Sequence, residues 1–364
     1  MQFLNRFQHP EEQRVTTIRQ LAEHLGLSPA TVSRALNGFP EVGVATRQRV
    51  LEGAERLHYR PNMHAKRLAT GKSGLVGMIF RASSERGVDP HVMDFLSALS
   101  LAFADSEIDL LVHIAAPSDQ MLHHERIASR GQVDGMILSA PEPDDPRIEL
   151  LTRRNIPFVV HGRGTDAPDY AYYDIDNEGA FTAATRLLVQ LGHKRIALLN
   201  GPSPMGYALQ RERGYRAVME ERGLAVPARF IANGEMHEES GHRAAAQMLA
   251  EPPSQRPTAF LCSSTLQALG VMRAATEAGL KVGDDVSIIS HDDVLPHLLA
   301  ENFAPPLTVT RLPIRDAGPI LAKMMMARLT GTPPRDLQRT DKVDLIVRGS
   351  TGPAPKSGGD AWSH

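Results

Sequence analysis

The chain has 364 residues, 42% of them apolar and only 5% aromatic, with a formal net charge of −2 and a single cysteine. That length accommodates two or three domains with real cores, and the lone thiol, Cys262, excludes an internal disulfide or a thiolate metal cluster within one chain. No stretch approaches the ~18 uninterrupted apolar residues of a membrane helix, and the N-terminal MQFLNRFQHPEEQR lacks the apolar centre of a signal peptide, so a cytoplasmic protein without membrane contact is expected.

Charge is unevenly placed. Residues 1–74 carry eleven Lys and Arg against six Asp and Glu, and the remainder is acid-rich. A basic head on an acidic body suits attraction to phosphates at one end, although a solvated basic face would have the same composition. Residues 1–14 have no periodicity and read as a mobile arm. In residues 16–37, TTIRQLAEHLGLSPATVSRALN, Thr17 and Gln20 have the spacing of a capping box, which predicts a helix from about Ile18. Ile18, Leu21, Ala22 and Leu25 recur at helical spacing until Gly26 ends it. Ser28 then caps a second helix with Pro29 at its first position, and Asn37-Gly38 closes it. Val32, Ala35 and Leu36 face inward, which leaves Pro29, Ala30, Thr31, Ser33, Arg34 and Asn37 outward. Periodicity alone fits either two packing helices of a larger domain or a DNA-binding helix-turn-helix. A third helix is expected over residues 44–57, starting behind Gly43 without a side-chain cap.

The run SPATVSRALN, with Thr46-Arg47 and Tyr59-Arg60-Pro61-Asn62, closely resembles the headpiece of the lactose/galactose repressor (LacI/GalR) family, and the resemblance continues to about residue 349. It implies a headpiece over residues 15–60 that meets operator DNA through Thr17, Ile18, Ser28, Pro29, Ala30, Thr31, Ser33, Arg34, Asn37, Thr46 and Tyr59. It also implies a hinge helix and linker over 61–73, with Asn62, Ala65, Lys66 and Leu68 at the DNA and Leu68 as a minor-groove wedge. So short a helix is marginal in water by itself, and the plain alternative is a linker helix with one buried leucine.

From Leu75 the runs LVGMIF, IDLLVHIA, VDGMIL, PFVVHG, RIALLN, RFIANG, TAFLCS and VSIISH alternate with helical stretches, which predicts βαβ units and parallel sheets buried on both faces. The expected fold class is α/β: a helical headpiece plus two doubly wound parallel-sheet lobes, which the resemblance makes periplasmic-binding-protein-like. The core is expected over 74–349, with lobe one at about 74–173 and 305–333 and lobe two at about 174–304 and 334–349. In that scheme LTVTRLP and the following helix, residues 314–329, return to lobe one and VDLIV completes lobe two. The Gly-, Pro- and Ser-rich residues 350–364 read as a disordered tail without leucine heptads, so a homodimer is expected.

Ligands of doubly wound lobes sit beyond the carboxyl ends of the strands. The resemblance places Arg211 and Asp292 on the hydroxyls of a small effector, with a salt bridge as the plain alternative for either residue. His161 follows PFVV, Met236 stands where relatives often carry an aromatic, and Ser263-Ser264-Thr265 replaces a common Asn-Asp, with Ser264 as the candidate contact. Tyr207, Asp94 and Phe80 are further candidate lining residues. Ser290-His291-Asp292 has the residue types of a hydrolase triad, but neighbours on a strand point to opposite faces and cannot relay a proton. The expectation is a regulator, not an enzyme, that needs no cofactor or metal and whose effector is a sugar or glycoside, with a purine-type effector as the alternative. His161-Gly162-Arg163 with residues 174–179, DIDNEG, looks like the α-glucoside regulator branch. A cytoplasmic solute-binding protein without gene control is the rival reading.

Overall fold

The computed structural model describes residues 17–59, 71–82, 90–106 and 108–355, in two compact units, Met1–Ser73 and Gly74–His364. In the first unit, helix α1 is Ile18–Leu25, α2 Pro29–Leu36 and α3 Val44–Arg56. The capping box forms in both directions: Gln20 N donates to Thr17 Oγ1 at 3.3 Å and Thr17 N to Gln20 Oε1 at 2.7 Å. Gly26, at φ 62°, supplies the left-handed residue that turns the chain, and Ser28 Oγ accepts from Thr31 N at 3.1 Å to start α2. α3 begins behind Gly43 with no side-chain cap. Leu21, Val32 and Val50, one from each helix, are fully buried together, each contributing about 1.5–3 kcal/mol by leaving water.

The second unit contains twelve strands among its described residues. β1 is Leu75–Arg81, β2 Asp109–Ala115, β3 Gly135–Ser139, β4 Phe158–His161, β5 Tyr172–Ile175 and β6 Ile196–Asn200. β7 is Ile231–Asn233, β8 Ala259–Cys262, β9 Ser287–Asp292, β10 Thr308–Arg311, β11 Gln338–Asp341 and β12 Asp344–Ile346. They form two six-stranded sheets ordered β11-β5-β4-β3-β1-β2 and β12-β10-β9-β8-β6-β7, parallel throughout except for β10 against β12. The helices are α4 (Pro90–Phe103), α5 (Gln120–Arg130), α6 (Pro146–Arg153), α7 (Asn177–Gln190), α8 (Gly206–Glu221), α9 (Glu238–Leu249), α10 (Thr265–Glu277) and α11 (Ala317–Leu329). Both faces of each sheet are covered. Val76 and Met78 pack with Phe95 and Leu321 on one side of the first sheet, while Ile79 and Met136 pack with Ile127 and Leu151 on the other. In the second, Leu199 and Phe260 meet Ala245 and Val271, and Leu198 and Leu261 meet Phe181 and Tyr215. Cys262 is buried at the end of β8, where burial pushes its thiol pKa up.

Four expectations need correcting. The expected lobe break near Tyr173 and Asp174 falls inside β5, a YYDI strand without the continuous apolar run that marks its neighbours. LTVTRLP belongs to the second sheet, because Thr308–Arg311 pairs in parallel with β9; only the helix after it, α11, returns to the first lobe. Gln338–Asp341, assigned to lobe two, pairs with β5 in the first sheet; as a polar edge strand, QRTD has no hydrophobic signature. The first part of the expected tail is docked. Ser350 Oγ accepts from Thr308 N at 2.8 Å and donates to Ile288 O at 2.7 Å, and Ala354 N donates to Leu191 O at 2.8 Å. Residues 356–364, like 1–16 and the candidate hinge residues Asn62, Ala65, Lys66 and Leu68, lie outside the described residues.

His124, fully buried on α5, donates Nδ1–H to Gln120 O at 2.8 Å, and its Nε2 meets no partner among the described residues. Burial lowers its pKa from 6.5 to about 4. The unfolded chain therefore takes up a proton between those values that the folded chain refuses. Stability is complete above pH 6.5 and falls towards pH 4, by about 3 kcal/mol in total from this group. Urea unfolding across that range should give a shallower decline for His124→Leu than for the wild type; parallel curves would contradict a buried neutral imidazole.

Candidate functional site

Two surfaces carry chemistry. On the headpiece, Pro29, Ala30, Arg34 and Asn37 are exposed on the outer side of α2, with Thr31 and Ser33 half-buried beside them. Asn37 turns back, its Nδ2 donating to Ser33 O at 2.8 Å, and Arg47 is occupied in holding Phe39 O at 2.7 Å. Arg34 is thus the guanidinium that this face presents. Thr17 is exposed, while Ile18, Thr46 and Tyr59 are half-buried at the edges of the three-helix core.

The second surface is a cleft of about 720 Å³ in the body, lined from both lobes. Its centre is Arg211. α8 starts with Gly206, whose amide donates to Pro141 O at 2.8 Å; a Cβ there would stand 2.0 Å from Arg163 O, so only glycine lets the helix come so close to the first lobe. One turn on, the Arg211 guanidinium lies between the rings of Phe181 and Tyr207, 5.2 and 5.1 Å from their centroids. Its Nε donates to Asn177 Oδ1 at 2.8 Å and its Nη1 to Ser263 O at 2.9 Å. Asn177 Nδ2 in turn donates to Asp174 Oδ1 at 3.4 Å, and Arg163 Nε holds the other oxygen of Asp174 at 2.8 Å.

Asp293 faces the same space, 3.3 Å from His91 Nε2 and 3.4 Å from His291 Nε2. Burial alone would raise its pKa, but the neighbouring His291, His91 and Arg211 outweigh burial and hold the carboxyl well below the usual range. Burial lowers the His291 pKa, and Thr310 Oγ1 lies 3.1 Å from its Nδ1. His161 stacks between Phe95 and Tyr173, with centroids at 5.1 and 6.2 Å, and burial lowers its pKa too. A neutral imidazole there offers one donor and one acceptor. At the N-terminus of α6, Asp145 grips Arg147 through Oδ1 to Nε at 2.9 Å and Oδ2 to Nη2 at 2.5 Å, and also caps the helix.

Of the candidate residues, Arg211, His161, Met236, Tyr207 and Phe80 line the cleft. Three do not. Asp292 turns the other way at the end of β9, accepting from Val294 N at 2.8 Å beside Arg311 at 3.9 Å; residue alternation hands the cleft to Asp293. Ser264 is the N-cap of α10, accepting from Gln267 N and donating to Met236 O, so it supports a wall without being part of it. Asp94, on α4, stays outside the lining, which takes His91, Val92 and Phe95 instead. The pair Asp145 and Arg147 was missed, although Asp-Pro at a helix start is itself a readable cap signal. In the apparent triad, Ser290 Oγ donates to His291 O and not to an imidazole nitrogen.

A helix-turn-helix headpiece followed by a two-lobed body with a polar cleft defines a ligand-responsive DNA-binding transcriptional regulator. Residues 17–62 match the bacterial regulatory proteins of the lacI family, and residues 185–351 match the periplasmic binding protein-like domain. The HTH-type transcriptional regulator AglR of Rhizobium meliloti (strain 1021) is 44% identical over 339 residues, 93% of this chain and 95% of that protein. RafR of Escherichia coli is 31% identical over 93% of this chain and 99% of its own length. Among solved structures, the lac repressor dimer bound to operator and the anti-inducer ONPF superposes with TM-score 0.78 at 25% identity, covering 93% of this chain and 100% of that one. The CelR–cellobiose complex gives 0.66 at 27%, covering 92% and 99%. The chain belongs to the LacI family of transcriptional regulators and is not an enzyme.

Asp145→Ala leaves the buried guanidinium of Arg147 without its counter-charge and removes the cap of α6. It should cost about 3–5 kcal/mol in urea unfolding; a loss below 1 kcal/mol would mean that the pair is effectively solvated.

Proposed function

We propose that this regulator is a cytoplasmic repressor that binds a pseudo-palindromic operator as a homodimer and is controlled by a sugar or glycoside held between its lobes, with α-glucosides the first class to test. The observation that carries the reading is the pairing of Arg211 with Asp293 in one cleft: a fixed donor and an ionised acceptor suit vicinal hydroxyls. Two relatives support it, the lac repressor dimer on its operator and CelR with cellobiose. In this reading the headpiece spans residues 15–60 and the hinge 61–73. Thr17, Ile18, Ser28, Thr31, Ser33, Asn37, Thr46 and Tyr59 position the headpiece on the backbone, and Arg34 carries most of the polar base readout. Pro29 and Ala30 offer only apolar contact to a thymine methyl. The effector contacts are Arg211, Asp293, His161, Tyr207, Met236 and Phe80. Effector binding changes lobe closure, and thereby DNA affinity, through its different affinity for two states.

Gel-shift titration on DNA upstream of neighbouring genes should show sequence-specific binding that weakens steeply with salt; no such site would end the repressor reading. Leu68→Ala should weaken operator binding far more than non-specific binding, and equal losses would remove the wedge role. In calorimetry against a sugar panel, Arg211→Ala should lower effector affinity by about 10- to 100-fold. Unchanged affinity would displace the effector from this cleft.

A further inference from the structure

Behind Arg211 lies a second layer of buried polar groups. Asn200 ends β6, Ser263 follows β8 and Gln267 stands in the first turn of α10; all are buried, and none is among the described residues that line the cleft. Asn200 Nδ2 donates at 2.8 Å to the carbonyl of Ala208, in the first turn of the helix α8 that carries Arg211. Asn200 Oδ1 accepts from Ser263 Oγ at 2.9 Å, and Ser263 O is the acceptor of Arg211 Nη1. One carboxamide therefore holds both the helix that carries the donor and the residue that supplies the acceptor. Gln267 closes the ring: its Oε1 accepts from Ser263 N at 3.1 Å and its Nε2 donates to Asn200 O at 3.3 Å.

The orientation of both carboxamides is dictated by their neighbours. Gly201 N and Ser263 N can only donate, so Asn200 Oδ1 and Gln267 Oε1 must face them, which leaves each NH2 for a carbonyl. Away from water, a side chain that met only half of these partners would strand the others. Ser263 sends its hydroxyl back to Asn200 and its carbonyl forward to Arg211, so it links the hidden layer to the cleft. We propose that Asn200 is a positioning residue for effector recognition, fixing the Arg211 guanidinium through α8 and Ser263, with Gln267 keeping Asn200 and Ser263 in register. The fixed guanidinium is a property of the chain alone; its use on an effector rests on the sugar reading above.

Hydrogen exchange at arginine Nε, read by NMR in the full chain with nitrogen-15 in its arginines, tests the positioning without a ligand. Arg211 Nε–H, assigned by its loss in Arg211→Lys, should exchange about tenfold or more faster in Asn200→Ala. Gln267→Met keeps the volume and leaves Ser263 N its bond to Leu199 O. It should act in the same direction, and it carries the test if Asn200→Ala does not fold. Arg147 Nε–H, buried against Asp145 Oδ1 at 2.9 Å, is the internal control and should stay within about twofold. In calorimetry with maltose, Asn200→Ala should weaken binding about tenfold, and Asn200→Ala combined with Arg211→Ala no further than Arg211→Ala alone. Unchanged exchange at Arg211, equal acceleration at Arg147, or additive losses of maltose affinity would overturn the proposal. Maltose that does not bind, or that binds regardless of Arg211→Ala, would count against an α-glucoside held by Arg211, and the exchange rates alone would then decide the positioning role.

Discussion

A guanidinium held out of water sets the terms for the body of this protein. Arg211 is 5% exposed, and an ion in that position costs several kcal/mol unless its surroundings replace the lost hydration. The replacements come from separate parts of the chain: aromatic faces from α7 and α8, an amide from the first turn of α7, and a backbone carbonyl from the end of β8. Asn177 passes the constraint on to Asp174 and Arg163 at the end of the first sheet. The polar interior is therefore one connected set, and it is fixed in place before a ligand arrives. Such preorganisation lowers the ordering cost of binding.

The lobes also meet directly, through one backbone hydrogen bond and several side-chain pairs. Gly206 N reaches Pro141 O, Arg81 faces Glu235, His91 faces Asp293, and Arg213 pairs with Asp166. A ligand shifts closure only by its differential affinity for the two arrangements, so it acts against, or with, this set of contacts. The exposed pairs contribute little each in water. The buried contact of His91 with Asp293 is the costlier one to break, because opening would leave an ionised carboxylate without one of its two imidazoles.

How much was legible in the sequence depended on the range of the interaction. Capping box, left-handed glycine, Ser-Pro helix start and apolar runs are local signals, and they located α1, α2 and eight of the strands. β5 and β11 were illegible because their stability comes from pairing with neighbours and not from hydrophobic side chains. The assignment of LTVTRLP failed for the same reason: sheet membership is decided by a partner, and β9 is far away in sequence. In the cleft, residue types were readable but direction was not. Asp292 and Asp293 differ only in which side of the chain they occupy, and Ser264 was claimed by the start of α10. The docking of Ser350 onto Thr308 and Ile288 could not be seen in a stretch whose composition speaks of disorder.

The chain passes between the two sheets three times, after β5, between β10 and α11, and between β11 and β12. Three covalent connections tie the lobes to each other at separate points of the sequence, so neither lobe can be removed or replaced as one continuous stretch of chain. The two halves of the cleft are inseparable in the sequence even though they are distinct in space.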